Sequence, residues 1–293
     1  MANTGIGTIA VYIPELWSDL VQKATQSNLV AANRFFDASG YGEIKSKGDT
    51  LHVPILSNMS AVTKTANTEL PSTATTESEI TLVIDTHKGI RVTLEDIARV
   101  QSSYDMMSLY TSKIGYGLAK ALDTSLLALY SGLSQTVGAT ASTDGGISDT
   151  NLVRAMRFLD MADAPQEDRS VIIDPYGIED LRLIDKFTRY DSIAQDGANR
   201  VNNGIGANGL FGSVYGVPVF VTTNLQTTPV VGGTLSRGLV VHKEAFVYGA
   251  QVDKKMEHWR NAPQLADELI GQMLYGVKEY RDAFGVVLSY PQA

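Results

Sequence analysis

Apolar and polar residues alternate twice within a short span. In Thr50–Leu56 the residues Leu51, Val53 and Ile55 fall on one face, and in Glu79–Asp85 the residues Ile80, Leu82 and Ile84 do the same. Period 2 is the signature of strands with one buried face. Between them, Ser57–Ser78 is rich in Ser and Thr, carries Lys64, Glu69 and Pro71, and holds almost no large apolar residue. So long a connection without helical pattern is uncommon inside a compact domain. The stretch from Thr50 to about Arg91 therefore predicts an extended β-hairpin reaching for a neighbour.

On either side of it the apolar spacing changes to that of helices. Leu16, Trp17, Leu20, Val21, Ala24, Leu29 and Val30 predict a helix from Pro14 through to Phe35–Phe36, with proline at its first position, where it costs no hydrogen bond. After the hairpin, Thr93 reads as the cap of a helix whose first turn carries Glu95 and Asp96. From Tyr104 to about Leu129, Met107, Leu109, Tyr110, Ile114, Leu118, Ala121, Leu122, Ser125, Leu126 and Leu129 recur at helical spacing, a rod of roughly 40 Å. Taken alone, such a stripe is more commonly the core helix of a soluble enzyme; its neighbour, the unpaired hairpin, sets it apart.

The second half reads as an α/β layer that follows a glycine-rich linker or exposed loop, Gly138–Gly146. Ser148 caps a helix with Leu152, Ala155, Met156 and Leu159 inward. Ser170–Pro175 is a buried strand turning directly into a helix, with Asp174 as cap and Pro175 at the first position. Val217–Val221, Gly238–His242 and Ala245–Tyr248 read as strands, and Leu269–Tyr290 as closing strands. Asp191–Leu210, full of Asn and Gly, reads as a loop.

Composition narrows the function. The 293 residues are 44% hydrophobic, enough for a sizeable core, and no apolar run approaches the ~20 residues of a membrane span. The first residues lack the pattern of a signal peptide. Zero cysteines exclude disulfides and thiolate chemistry. A net charge of −8 argues against tight nucleic-acid binding and suits a surface that sits beside polyanion without adhering.

Catalytic motifs find no support. Gly204–Gly209 matches G-x-G-x-x-G, but polar Asn202-Asn203 precede it and strand-like Val214–Val221 follows, whereas a dinucleotide site needs a strand before and a helix after. His52, His87, His242 and His258 are scattered without ligand spacing. The acidic pairs Glu95-Asp96, Glu179-Asp180 and Asp267-Glu268 lie near helical segments, where capping or solvation explains them. Neither a catalytic residue, a metal site nor a cofactor is expected.

The order of these pieces resembles the major capsid proteins of tailed bacteriophages with the HK97-type fold. The closest local likenesses are Gly209-Leu-Phe-Gly-Ser-Val-Tyr-Gly-Val-Pro-Val219, Gly238-Leu-Val-Val-His-Lys-Glu-Ala-Phe-Val-Tyr248 and Val171-Ile-Ile-Asp-Pro-Tyr-Gly-Ile-Glu-Asp-Leu181. The resemblance implies an α+β fold in five segments. These are an N-terminal arm (1–48), an extended loop (49–88), a peripheral-domain spine helix (89–146), an axial domain (147–254) and a return to the peripheral domain (255–293). It implies a structural protein that self-assembles into hexamers and pentamers of an icosahedral head, located in the virion after assembly in the host cytoplasm. Double-stranded DNA would be enclosed without specific binding and no membrane would be involved. A separate scaffolding protein, a portal and a decoration protein would be partners beside the chain itself; the long charged N-terminal segment that some relatives use as a fused scaffold is lacking, so that scaffolding is either separate or has been removed. Inter-subunit contacts would fall on Lys64, Glu69, Glu77 and Glu79 of the hairpin, on Trp17 of the arm, and on Asp196, Asn202 and Asn203 of the 191–208 loop. Some relatives cross-link a loop lysine to a neighbour's asparagine, and Lys64 is the lysine at this hairpin's tip. The alternatives are an encapsulin-like nanocompartment shell and a soluble α/β enzyme.

Overall fold

The computed structural model describes residues 29–40, 50–56, 59, 61–70, 77–97, 106–184, 187 and 209–292. Its first elements are a 3-10 turn, Ala31–Asn33, and a two-residue strand, β1 (Phe36–Asp37). The helix expected through Phe35–Phe36 thus does not reach its end as a helix; its portion before Leu29, including Trp17, lies outside the described residues. Asp123 supplies the reason. Its Oδ1 accepts from the amides of Val30 and Ala31 at 3.0 and 2.7 Å, taking the donors at the head of the turn. Phe35 then turns inward, edge-on to Phe246 at 4.9 Å.

The two alternating segments pair as expected. β2 (Thr50–Leu56) and β3 (Glu77–Val83) run antiparallel from Thr50 opposite Val83 to Leu56 opposite Glu77. The next segment departs from the helix expected after Thr93. Thr86–Glu95 is a strand, β4, and helical geometry begins only at Asp96. Thr93 therefore caps nothing, because Ile90, Val92 and Leu94 continue the period-2 pattern and find a partner strand far along the chain. The long helix is present as α1 (Met106–Ala128), 23 residues or about 35 Å, and it ends in a 3-10 turn, Leu129–Gly132.

β5 (Thr136–Gly138) opens the larger sheet. α2 (Asp149–Met161) starts as expected, with the Ser148 hydroxyl accepting from the Asn151 amide and Leu152, Ala155 and Leu159 buried. β6 (Arg169–Ile173) is buried along its whole length and passes into α3 (Pro175–Leu183), where the Asp174 carboxylate accepts from the Gly177 amide at 3.0 Å. β7 (Leu210–Val214) and β8 (Val217–Val221) form a hairpin around Tyr215 and Gly216, both at positive φ. β9 (Thr227–Val230) and β10 (Gly233–His242) come next. β11 (Phe246–Asn261) and β12 (Ala266–Glu279) are the longest strands, and β13 (Gly285–Pro291) is buried throughout.

These strands form a seven-stranded sheet in the order β5-β13-β10-β6-β8-β7, with β9 beside β10, and a four-stranded sheet in the order β1-β11-β12-β4. The five segments expected from the sequence do not map one-to-one onto these sheets. β4, which ends inside 89–146, and β5, which lies wholly within it, belong to different sheets; the chain leaves the seven-stranded sheet at the end of β10, His242, and enters the four-stranded sheet with β11 at Phe246, before 254; and β13, expected in the returning segment 255–293, lies in the seven-stranded sheet between β5 and β10. The glycine-rich stretch before α2 is an ordered turn, because the Asp144 carboxylate accepts from the amides of Thr140 and Ala141 at 2.7 and 2.9 Å.

α1 covers one face of the four-stranded sheet. Gly271 allows the approach, since a Cβ there would lie 2.2 Å from Ile114 Cγ2, and Tyr275 closes the far end through its hydroxyl, 2.9 Å from Ser125 Oγ. The base of the hairpin covers part of the other face, where Leu51, Leu82 and Ile84 cluster with Val247 and Leu274. There a Cβ on Gly276 would fall 2.1 Å from the Val83 carbonyl oxygen. The hairpin is thus anchored at its root by close backbone packing.

Candidate assembly surfaces

The hairpin root is apolar and its tip is open. Residues 61–70 are all exposed, with a turn in which the Thr68 hydroxyl donates to the Thr65 carbonyl at 2.8 Å and Asn67 adopts positive φ. Lys64 and Glu69 project from this segment, in company with three apolar side chains, Met59, Val62 and Leu70, which are 73, 45 and 58% exposed. Exposed apolar groups gathered on one projection mark contact surfaces. Sequence reasoning passed over these three because they are spaced too widely among Ser and Thr to form a pattern. On the strands, Glu79 faces His52 across the ladder, Oε2 to Nδ1 at 3.3 Å, so it belongs to the hairpin's own cross-strand pairing. Glu77 is the first residue of β3. Asp196, Asn202 and Asn203, like Trp17, lie outside the described residues.

The far end of the four-stranded sheet forms a second surface. Asp253 through Arg260 are exposed along β11, among them Trp259 at 64%. Successive residues of a strand point to opposite faces, so both faces of the strand are exposed here. Trp259 lies opposite Glu268, and Glu268 is itself buried. Arg91 Nη2 donates to Glu268 Oε1 at 2.5 Å and Asn261 Nδ2 to the same oxygen at 2.6 Å. The Asn261 amide, and after it the Arg91 guanidinium, hold the Glu268 carboxyl below its ordinary range. On the reverse side Arg260 grips Asp96 with two donors at 2.5 Å and reaches Asp267 at 3.2 Å. Asp267 and Glu268 therefore sit on a strand, facing opposite ways, and each is held by an arginine; the helical surroundings expected for them are absent because β12 pairs here with both β4 and β11. The apolar side chains of Ile97 and Leu265 are exposed at the same end. A tryptophan amid charges was the available sequence signal.

A third feature ties the N-terminal segment to α1. Asp123 is fully buried; besides the amides of Val30 and Ala31, its Oδ2 accepts from Asn224 Nδ2 at 3.0 Å. Burial raises its pKa in spite of these donors. Asp123 also borders a cavity of about 710 Å³, whose walls combine alanines, leucines and Met273 with polar side chains, among them Asp37, Asp253 and Lys254. Among the described residues, no cluster of three or more His, Cys, Asp or Glu is arranged to hold a metal ion, and no helix is long and apolar enough to cross a membrane.

Comparison with known proteins converges on one family. A family model described as "Phage capsid protein" matches residues 76–266. Among solved structures, one described as "Mycobacterium phage Che8" superposes with a TM-score of 0.75 at 24% identity, covering 94% of this chain and 97% of the other. The "Capsid structure of the Cyanophage P-SCSP1u" gives 0.75 at 21% identity, with 99 and 96% covered. The "Asymmetric unit of bacteriophage PhiM1 mature capsid" gives 0.71 at 14%, with 96 and 93% covered. No curated protein matches the sequence. The elements agree with these capsids across almost the full length of both chains, and the chain belongs to the phage capsid protein family, as a tailed-phage major capsid protein of HK97-type fold.

Proposed function

We propose that the chain builds an icosahedral phage head by closing into hexamers and pentamers around double-stranded DNA. The observation that carries this reading is the contrast within one subunit between a buried sheet core and a projecting hairpin with an open, partly apolar tip at Met59, Val62 and Leu70. Closed rings need a surface on each subunit that fits a different surface on the next. The hairpin tip and the uncovered face around Trp259 supply two such surfaces. Many modest contacts per subunit would then act as linked interactions, so that strength comes from repetition. The negative charge of the chain limits adhesion to the enclosed DNA. A scaffolding protein, a portal and a decoration protein are its partners in this reading, and assembly takes place in the host cytoplasm.

Light scattering with negative-stain microscopy on the purified chain, alone and after co-expression with a phage scaffolding protein, tests the proposal. Hollow multi-megadalton particles, or hexamers and pentamers, are expected. A chain that stays monomeric under both conditions would refute self-assembly, and particles that purify with an enclosed enzyme in place of DNA would identify a cargo compartment. Lys64 is exposed at the tip, where a cross-link to a neighbour would be made. If Lys64→Ala shells still ran as covalent ladders on a denaturing gel, that residue would have no part in any cross-link.

A further inference from the structure

A recess of about 300 Å³ lies where the N-terminal segment crosses the end of the seven-stranded sheet, bordered by Arg34, Ser170, Pro218 and Lys243. Two buried polar atoms there have no hydrogen-bond partner, Arg34 Nε and Ser170 Oγ. Ser170 is 2% exposed. Buried polar groups are nearly always paired, so two orphans on one recess call for an explanation.

The neighbouring arginine sharpens the contrast. Arg169 has a partner on each of its three guanidinium nitrogens, with Nε on the Pro165 carbonyl at 2.8 Å, Nη1 on Asp160 at 2.7 Å and Nη2 on the Ala164 carbonyl at 2.6 Å. Arg34 instead lies over the Phe220 ring, 4.0 Å from its centroid. Stacking orients the planar fork and leaves its in-plane donors free. No carboxylate among the described residues forms an ion pair with it. A water molecule could accept one hydrogen bond but would leave the charge uncompensated. A group with several acceptor oxygens and a negative charge meets both needs. Lys243 adds a second cation, while Glu167 and Asp168, which also border the recess, restrict it to a small group.

We propose that this recess binds an oxyanion, accepting from Arg34 Nε–H and from the Ser170 hydroxyl. The oxyanion is either a free ion of the phosphate type or an Asp or Glu carboxylate presented by a second copy of the chain; the second source rests on the assembly proposed above.

Thermal unfolding of unassembled subunits, with sodium phosphate titrated against sodium chloride at matched ionic strength, tests the first source. A saturable rise of about 2–4 °C is expected for the wild type. Arg34→Gln should abolish it. Ser170→Ala should weaken the apparent phosphate affinity about five- to tenfold. Ser170→Ala should also leave the phosphate-free unfolding temperature unchanged or higher, since it removes an unpaired hydroxyl, and this separates loss of ligand from loss of fold. A reconstruction of the assembled shell tests the second source, by an acidic side chain of a neighbouring copy within hydrogen-bond distance of Arg34. The proposal is overturned if phosphate gives no effect that Arg34→Gln removes and no such carboxylate is present. The phosphate result is independent of assembly, and if no shell forms it decides alone.

Discussion

The two sheets are made of similar strands and end in opposite conditions. In the seven-stranded sheet, β6 and β13 are buried at every residue, so both faces are closed by the chain itself. In the four-stranded sheet, β11 begins buried and then runs exposed on both faces from Asp253 to Arg260, so α1 and the hairpin root each cover only part of it. One sheet completes a fold; the other completes half of one and leaves the rest for something else. Stability and assembly should therefore separate by region, so that a substitution that damages one leaves the other measurable.

The largest effect is expected in the closed sheet. Leu239 is fully buried on β10, which pairs with both β13 and β6 at that residue. Leu239→Ala should cost about 2–5 kcal/mol, because neighbours held on two sides cannot collapse into the cavity. Urea unfolding of the subunit reads this directly. A loss under 1 kcal/mol would mean that the closed sheet is looser than its burial indicates.

Gly276→Ala should come next, at about 1–3 kcal/mol, because the added methyl meets the Val83 carbonyl oxygen, a backbone atom that cannot rotate away. The damage should be local. Limited proteolysis should cut the hairpin faster while the seven-stranded sheet keeps its protection, and equal cleavage rates would show that the root is not the hairpin's anchor.

Trp259→Ala sharpens the comparison from the other side. The side chain is mostly exposed, so subunit stability should change by less than about 0.5 kcal/mol. Shell yield should nevertheless fall severalfold, since exposed aromatics at an interface contribute much of its binding energy. Normal shells from this variant would take the open face out of the assembly contacts.

The same division governs what could be read in the sequence. The hairpin strands were legible because Leu51, Val53, Ile80 and Leu82 bury a face at the root, and burial writes a period. Ser148 and Asp174 were legible as caps because a cap is completed within three residues, by the amides of Asn151 and Gly177. β4 carries an equally good period in Ile90, Val92 and Leu94, yet Thr93 followed by Glu95 and Asp96 imitates a helix start. The competing interaction, the ladder with β12, is about 180 residues away and leaves no local mark. The exposed half of β11 is unreadable for a related reason, since a strand with no buried face has no apolar alternation. Of the contact candidates, Lys64 and Glu69 do stand on the open tip, whereas the apolar side chains beside them and the Arg91–Glu268 pair emerge only when strands are brought together.

The smallest expected effect sets the two regions against each other by pH. Glu268, at the open end of the four-stranded sheet, has its pKa lowered by Asn261 and Arg91, so its contribution to stability is fully present above the ordinary glutamate range and is lost as pH falls through the depressed value. Asp123, at the root of the N-terminal segment, has its pKa raised by burial, so its contribution runs the other way and declines as pH rises from the ordinary aspartate value through the raised one. Acidification should therefore loosen the end of β11 and β12 while the Asp123 contact holds. Hydrogen exchange of residues 257–268 between pH 5 and 3 measures the first change, and exchange of the Val30 and Ala31 amides measures the second. Arg91→Gln should move the loosening to higher pH, because one of the two groups that depress the Glu268 pKa is gone. An exchange profile that ignores this substitution would mean that the arginine only covers the carboxylate, and the tight corner at Asn261 would then be the whole source of order at the open end.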